Sequence, residues 1–210
     1  MRHKQIIRDN KFNSFNINTG KNNEYNCYGD ILTVIDDRFK LMTSTCSKTL
    51  FIRFDLRFPE NYLHEVSNRH VEHLYKMIMD KSRYHDYGVQ YVWGREQPSK
   101  ERHQHYHCIA LINGNKCQNY YSFLKGVEKS WNHVLGVQNG EGLVHFCDKE
   151  QNGIIIKKPS KASTGSQRLH QERQFQETLN RCFHWASYLA KECPQNIIPH
   201  GVRRFGASQL

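Results

Sequence analysis

A chain of 210 residues with 38% hydrophobic and 12% aromatic content is long enough to bury a core and too apolar to be disordered. Its 30 Lys and Arg against 20 Asp and Glu leave a formal charge of +10, spread along the chain, which suits a folded face that meets phosphates. Seven cysteines without a CxxC pair argue against a disulfide framework or a thiolate zinc knot. The start Met1-Arg2-His3-Lys4-Gln5 lacks an apolar leader and no run approaches a membrane span, so the expected location is the cytoplasm, with no membrane partner.

Residues 1–46 read as a polar N-terminal extension, partly ordered. The part through about Asn26 predicts weak order or one short helix, and Ile31-Leu32-Thr33-Val34-Ile35 a short helix or strand leading into the body. The main domain is expected over 47–195. From Thr49 to Phe58 the alternation predicts a half-buried strand, with Leu50, Ile52, Phe54, Leu56 and Phe58 on one face and Phe51, Arg53, Asp55 and Arg57 on the other. A helix follows from about Ser67 to Ser82, carrying Val71, Leu74, Tyr75, Ile78 and Met79 at helical spacing.

Val89 to Arg95 and Gln104 to Ile112 predict a strand hairpin, and Tyr121 to Leu135 a second helix. Gly142 to Cys147 and Gly153 to Lys157 are further strands. A long helix begins near His170 and is stopped by Pro194. Residues 196–210 form a tail packed on the domain. This order predicts an α+β fold with a central antiparallel sheet of four to five strands and packed helices.

Chemistry concentrates in two places. On a strand, His105 and His107 share one face, with His103 on the same side if the strand reaches it. Two imidazoles can hold a divalent ion or be an ordinary wet pair. Glu96, ending the preceding strand, is the favoured third ligand, ahead of Gln97 and Glu101. Such an N,O set suits Mn²⁺ and tolerates Mg²⁺. On the last helix, Tyr188 and Lys191 are three residues apart and so share a face. A phenolate can attack phosphorus, and an ammonium beside it can stabilise the charge; an edge tyrosine and a solvated lysine are the bland alternative.

The strand His105-Tyr106-His107 followed downstream by a tyrosine-bearing helix resembles the HUH superfamily of single-strand endonucleases. Phe51-Ile52-Arg53-Phe54-Asp55-Leu56, Val92-Trp93-Gly94-Arg95-Glu96-Gln97, Ala186-Ser187-Tyr188-Leu189-Ala190-Lys191 and Arg204-Phe205-Gly206-Ala207-Ser208 narrow the likeness to inovirus-type replication proteins of filamentous phages and prophages. The resemblance implies an antiparallel sheet, a Mn²⁺ or Mg²⁺ ion on Glu96, His105 and His107, and a nucleophilic Tyr188 accompanied by Lys191. It implies a nick in single-stranded origin DNA, with an origin hairpin as one form it could take, leaving a 5′-phosphotyrosine and a 3′-hydroxyl for the host replication machinery. The chain departs from the family in having His103-Gln104 before the histidine pair, which opens a place for a third imidazole, and in having a single tyrosine on the helix.

Arg53, Arg57, Arg95 and Tyr106 are the candidate DNA contacts, the arginines for phosphates and the tyrosine for stacking. Tyr91 and Trp93 are weighed as further stacking surfaces, with core packing preferred for Trp93. Asp55 is expected either to orient a ligand or an arginine or to sit in a solvated ion pair. The competing functions are a mobilisation relaxase and a DNA-binding regulator that does not cut.

Overall fold

The structure is a computed structural model that describes residues 5–63, 66–99, 103–148, 150 and 152–210. In chain order its elements are β1 (Ile6–Ile7), β2 (Lys11–Phe12), β3 (Phe15–Asn16), β4 (Cys27–Tyr28), α1 (Gly29–Thr45), β5 (Lys48–Leu56) and α2 (Arg69–His85). There follow β6 (Gln90–Glu96), β7 (His105–Asn113), α3 (Tyr120–Leu135), β8 (Val144–Phe146), β9 (Ile154–Lys157), α4 (Gly165–Ser187), a 3-10 turn at Tyr188–Ala190 and β10 (Phe205–Ala207).

The expected α+β architecture is present, with six antiparallel strands in the order β10-β6-β7-β5-β8 and β9 also on β5. β8 lies opposite Phe54–Leu56 and β9 opposite Lys48–Phe51, so the two share one edge of β5. The predicted hairpin is β6 paired with β7, from Gln90 opposite Leu111 to Glu96 opposite His105.

β5 was expected to be half buried, but every residue from Thr49 to Leu56 is enclosed. Helices cover both faces of the sheet, so alternation along β5 separates two cores instead of core from solvent. Leu50, Ile52, Phe54 and Leu56 pack with Cys108, Ala110, Val71, Leu74, Val127 and Trp131 beneath α2 and α3. Phe51, Val92, Ile109 and Leu111 pack with Ile31, Ile35, Phe39, Cys182, Phe183 and Ala186 beneath α1 and α4. Each fully buried large side chain contributes about 1.5–3 kcal/mol. Arg53 and Asp55 lie on this second face, 8% and 9% exposed.

Residues 5–46 carry more structure than a partly ordered extension with weak order through about Asn26. The run Ile31–Ile35 belongs to the 17-residue α1, whose buried Ile31, Leu32, Ile35, Phe39 and Met42 recur at helical spacing. Before it, β1 pairs with β4 and β2 with β3. Asn13, at φ 51, takes the left-handed conformation that a tight hairpin turn needs. The few apolar residues described in this polar segment pack on the core: Phe15 stacks on Phe183 at 4.1 Å between ring centres, and Ile17 and Cys27 are buried. Low hydrophobic density hid a segment whose sparse anchors reach distant parts of the chain.

At the other end, β10 adds to the edge of β6, with Phe205 opposite Gly94 and Gly206 opposite Trp93. A Cβ on Gly206 would lie 2.5 Å from the Trp93 indole, so the tail can seat there only as glycine. Helix α4 starts at Gly165, five residues before the expected His170, and gives way to the 3-10 turn well ahead of Pro194. Among the described residues, no helix is long and apolar enough to cross a membrane.

Candidate metal and tyrosine site

Strand register assembles the first half of the site. His105 stands opposite Glu96, and His107 opposite Gly94 on one side and Asp55 on the other. Directly paired residues of antiparallel strands share a face, so these side chains converge on the α1 and α4 side of the sheet, at its open end. Glu96 Oε2 is 3.1 Å from His107 Nε2 and 3.6 Å from His105 Nε2. Neighbouring ligands around one octahedral ion at about 2.1 Å stand about 3.0 Å apart, so this trio has the spacing and the donor chemistry for a Mn²⁺ or Mg²⁺ ion.

Asp55 supports the trio from behind: His107 Nδ1–H donates to its Oδ1 at 2.7 Å. A carboxylate on one ring nitrogen fixes the tautomer and leaves the other nitrogen for a metal. His107 Nε2–H donates to Glu96 Oε2, so the imidazole lies between two carboxylates. Burial alone would pull His107 down, but bonds to Asp55 and Glu96 raise it above its ordinary 6.5. The His105 and His107 imidazoles hold Glu96 well below the usual carboxylate range. For Asp55, burial pushes upward, and the His107 bond and charge together with the nearby Arg53 and His145 outweigh it to leave a lowered value. A proton on His107 thus occupies the place a cation would take.

The second half of the site is Tyr188. Its ring meets the His107 ring edge-on, with centres 5.0 Å apart and planes at 85°. The Arg53 guanidinium lies 4.8 Å above it. Lys191 Nζ is 5.6 Å from the Tyr188 ring and 5.1 Å from that of Tyr25. The sequence placed Tyr188 and Lys191 on one continuous helix face; here Tyr188 opens the 3-10 turn, and Lys191 follows it in extended backbone bridged to Cys27. The pair stays close because the turn is tight.

Gly94 lets this turn reach the sheet. A Cβ there would lie 3.0 Å from the Leu189 carbonyl oxygen, tighter than ordinary packing, so the tyrosine-bearing turn sits directly on the strand that precedes Glu96. From the other side the N-terminal segment clamps it. Asn18 N–H donates to Ser187 Oγ at 2.8 Å, Glu192 N–H to the Asn26 carbonyl at 2.8 Å, and Asn26 Nδ2 to Glu192 Oε2 at 2.9 Å.

Other expected contacts are corrected. Tyr106 is fully buried on the α2 and α3 face, its hydroxyl 3.2 Å from Asn68 Oδ1 and its phenol pushed up to about 12 by burial. Arg95 is 2% exposed on that same face and donates to Gln97 Oε1 at 2.6 Å. Neither offers a surface to DNA, because successive residues of a strand alternate faces and both lie opposite the histidines. The same bond takes Gln97 away as an alternative ligand, and Glu101 lies outside the described residues. Tyr91 stacks on Tyr75 at 3.8 Å and Trp93 is core.

Arg57 is exposed and lines an open groove with Asp55, Glu60, His103, His105 and His107. His103 packs 5.9 Å from the Phe58 ring, and the trio that suits an ion forms without it.

Reading the sequence alone missed Tyr25, Asn18 and Gly94. Tyr25 donates to Asn18 Oδ1 at 2.5 Å and meets the Tyr188 ring edge-on at 6.2 Å. Burial first, then the neighbouring Tyr188, raises its phenol far above the ordinary range. It also missed His145 and Cys147, which with Asp55 make a second group whose ligand atoms lie within 4.8 Å of one another. The spaced apolar residues Phe12, Phe15 and Ile17 were the available signal for the clamp.

A family model described as the YagK/YfjJ C-terminal domain matches residues 8–208. No curated protein and no solved structure matches.

Proposed function

For this chain, which belongs to the YagK/YfjJ C-terminal domain family, we propose a metal-dependent cut of single-stranded DNA by Tyr188 that starts a round of rolling-circle replication. The observation that carries the proposal is the meeting of Tyr188 with His107 of the Glu96, His105 and His107 trio, from segments 81 positions apart in sequence. The resemblance to HUH endonucleases and inovirus-type replication proteins supports the same reading.

Glu96 Oε2 and the Nε2 atoms of His105 and His107 would hold Mn²⁺ or Mg²⁺, which polarises a scissile phosphate as a Lewis acid when bound. Asp55 keeps the His107 ring turned so that Nε2 faces the trio. The Tyr188 phenolic oxygen attacks phosphorus as its proton passes to solvent. The new bond joins tyrosine oxygen to phosphorus, and the bond from phosphorus to the 3′ oxygen breaks. The products are a 5′-phosphotyrosyl protein and a 3′-hydroxyl that host polymerase extends. Lys191 and Arg53, both over the ring, offset the negative charge that develops there. Exposed Arg57, on the groove beside the trio, is placed to hold a flanking phosphate.

The test mixes the full chain with labelled single-stranded oligonucleotides from its own genomic neighbourhood and Mn²⁺, then looks for a denaturant-resistant protein-DNA adduct. Adduct formation is expected, and loss of it with Tyr188→Phe or with EDTA. An adduct on Tyr188→Phe overturns the nucleophile; no adduct on a broad oligonucleotide set replaces cutting with binding. Tyr188-dependent copying of a plasmid bearing the cut sequence separates replication from mobilisation, which would instead move the plasmid to a recipient cell.

A further inference from the structure

We propose that Asp55, His145 and Cys147 form a second cation site, suited to Zn²⁺, beside the Glu96, His105 and His107 trio. It does not depend on the DNA-cutting reading. His145 on β8 stands directly opposite Asp55 on β5. Cys147 follows two residues later, and one ligand atom from each of the three lies within 4.8 Å of the others.

The place is built rather than incidental. Buried Asn152 donates from Nδ2 to the Arg53 carbonyl at 2.7 Å and to the Cys147 carbonyl at 3.4 Å, while its Oδ1 accepts from the Arg53 N–H at 3.1 Å. One side chain thereby fixes the Cys147 backbone against β5 just where the β8 strand ends. Asp55 can serve two neighbours, because His107 bonds its Oδ1 and a carboxylate has a second oxygen to offer.

The donor set decides the ion. A thiolate selects Zn²⁺ over Mg²⁺ or Mn²⁺, whereas the neighbouring trio offers only nitrogen and oxygen. Three protein ligands leave one tetrahedral position, open to water on the side of exposed His145. Binding forms a sulfur-zinc bond and releases the Cys147 thiol proton to solvent. Arg53, whose charge reaches both Asp55 and Cys147, is a cation such an ion would meet, and its guanidinium is turned over the Tyr188 ring. The shared Asp55 would make this ion the far end of a chain running through His107 to the trio.

Cobalt reads the site directly. Co²⁺ added to the reduced, metal-free full chain is expected to give a near-ultraviolet sulfur-to-metal charge-transfer band that Zn²⁺ removes and excess Mg²⁺ does not. Cys147→Ser and His145→Ala should each abolish the band and weaken Zn²⁺ binding by at least about tenfold. Cys193→Ser, at a half-buried thiol elsewhere, should keep it. His145 is exposed, so its variant tests the site even if Cys147→Ser disturbs folding. No band, or a band that survives in both variants, overturns the proposal. Either result leaves the Tyr188 adduct assay unaffected, and failure of that assay leaves the cobalt spectrum unaffected.

Discussion

Glu96, His105 and His107 stand on two paired strands eight residues apart in sequence, whereas Tyr188 stands on a 3-10 turn and is held by residues drawn from the first 28. The strand trio is fixed by ladder register, which one hairpin determines. The tyrosine is fixed by contacts between distant parts of the chain: Asn18 on Ser187 and Asn26 on Glu192 from the N-terminal segment, and Leu189 on Gly94 of the sheet. Local pairing therefore builds the place of the proposed ion and long-range packing that of the proposed nucleophile. The two should fail separately.

The largest separation is expected from His107→Ala. It deletes a ligand and leaves Asp55 without its 2.7 Å partner, so Mn²⁺ affinity should fall by more than about 100-fold. Calorimetric titration checks this. Unchanged affinity would mean that the trio does not hold the ion. Gly94→Ala attacks the other half. Its Cβ would press on the Leu189 carbonyl and lift the turn, and a misplacement of about 1 Å can cost about 100-fold in rate. Mn²⁺ affinity should be unaltered while adduct formation drops by that order. Loss of both together would dissolve the distinction between the halves.

The same distinction explains what could be seen beforehand. A strand has a period of two, so His105 and His107 on one face and Glu96 near them followed from spacing and one hairpin. The covered second face of β5 did not, because alternation looks the same whether the second face meets water or another helix layer; that covering turns Arg53 from the expected phosphate contact into a buried neighbour of Tyr188 and encloses Asp55 beside His107. Arg95 and Tyr106 were assigned to DNA by chemistry, and strand parity, which was available, would have turned both inward. The N-terminal clamp was hidden because its hydrogen bonds join positions more than 160 apart.

A smaller effect follows from the charge on His107. Its raised value means that, in the metal-free chain, its contribution to stability is fully present below the ordinary 6.5 and is lost as pH rises through the higher folded value. The lowered Glu96 and Asp55 contribute above their ordinary 4.5 and 3.8 and lose it as pH falls through their folded values. The cluster therefore supports the metal-free chain best between those ordinary values. An ion competes with the Nε2 proton, so Mn²⁺ affinity should rise by up to about tenfold per pH unit until His107 deprotonates unaided. Titrations between about pH 6 and 8 read this slope. A flat profile would show that His107 is not the group displaced.

The smallest expected effect probes the clamp at one bond. Ser187 is fully buried, accepts from the Asn18 N–H at 2.8 Å and donates to the His184 carbonyl. Ser187→Ala leaves that N–H without its acceptor, a loss of about 1–3 kcal/mol in unfolding free energy. Asn18 also accepts from Tyr25, so loosening it frees the ring that packs edge-on against Tyr188. Denaturant unfolding should report the stability loss, adduct yield should fall a few-fold, and Mn²⁺ affinity should stay as it was. If stability falls but adduct yield does not, the turn is held by Gly94 and the core beneath it, and the N-terminal segment is a brace for the fold alone.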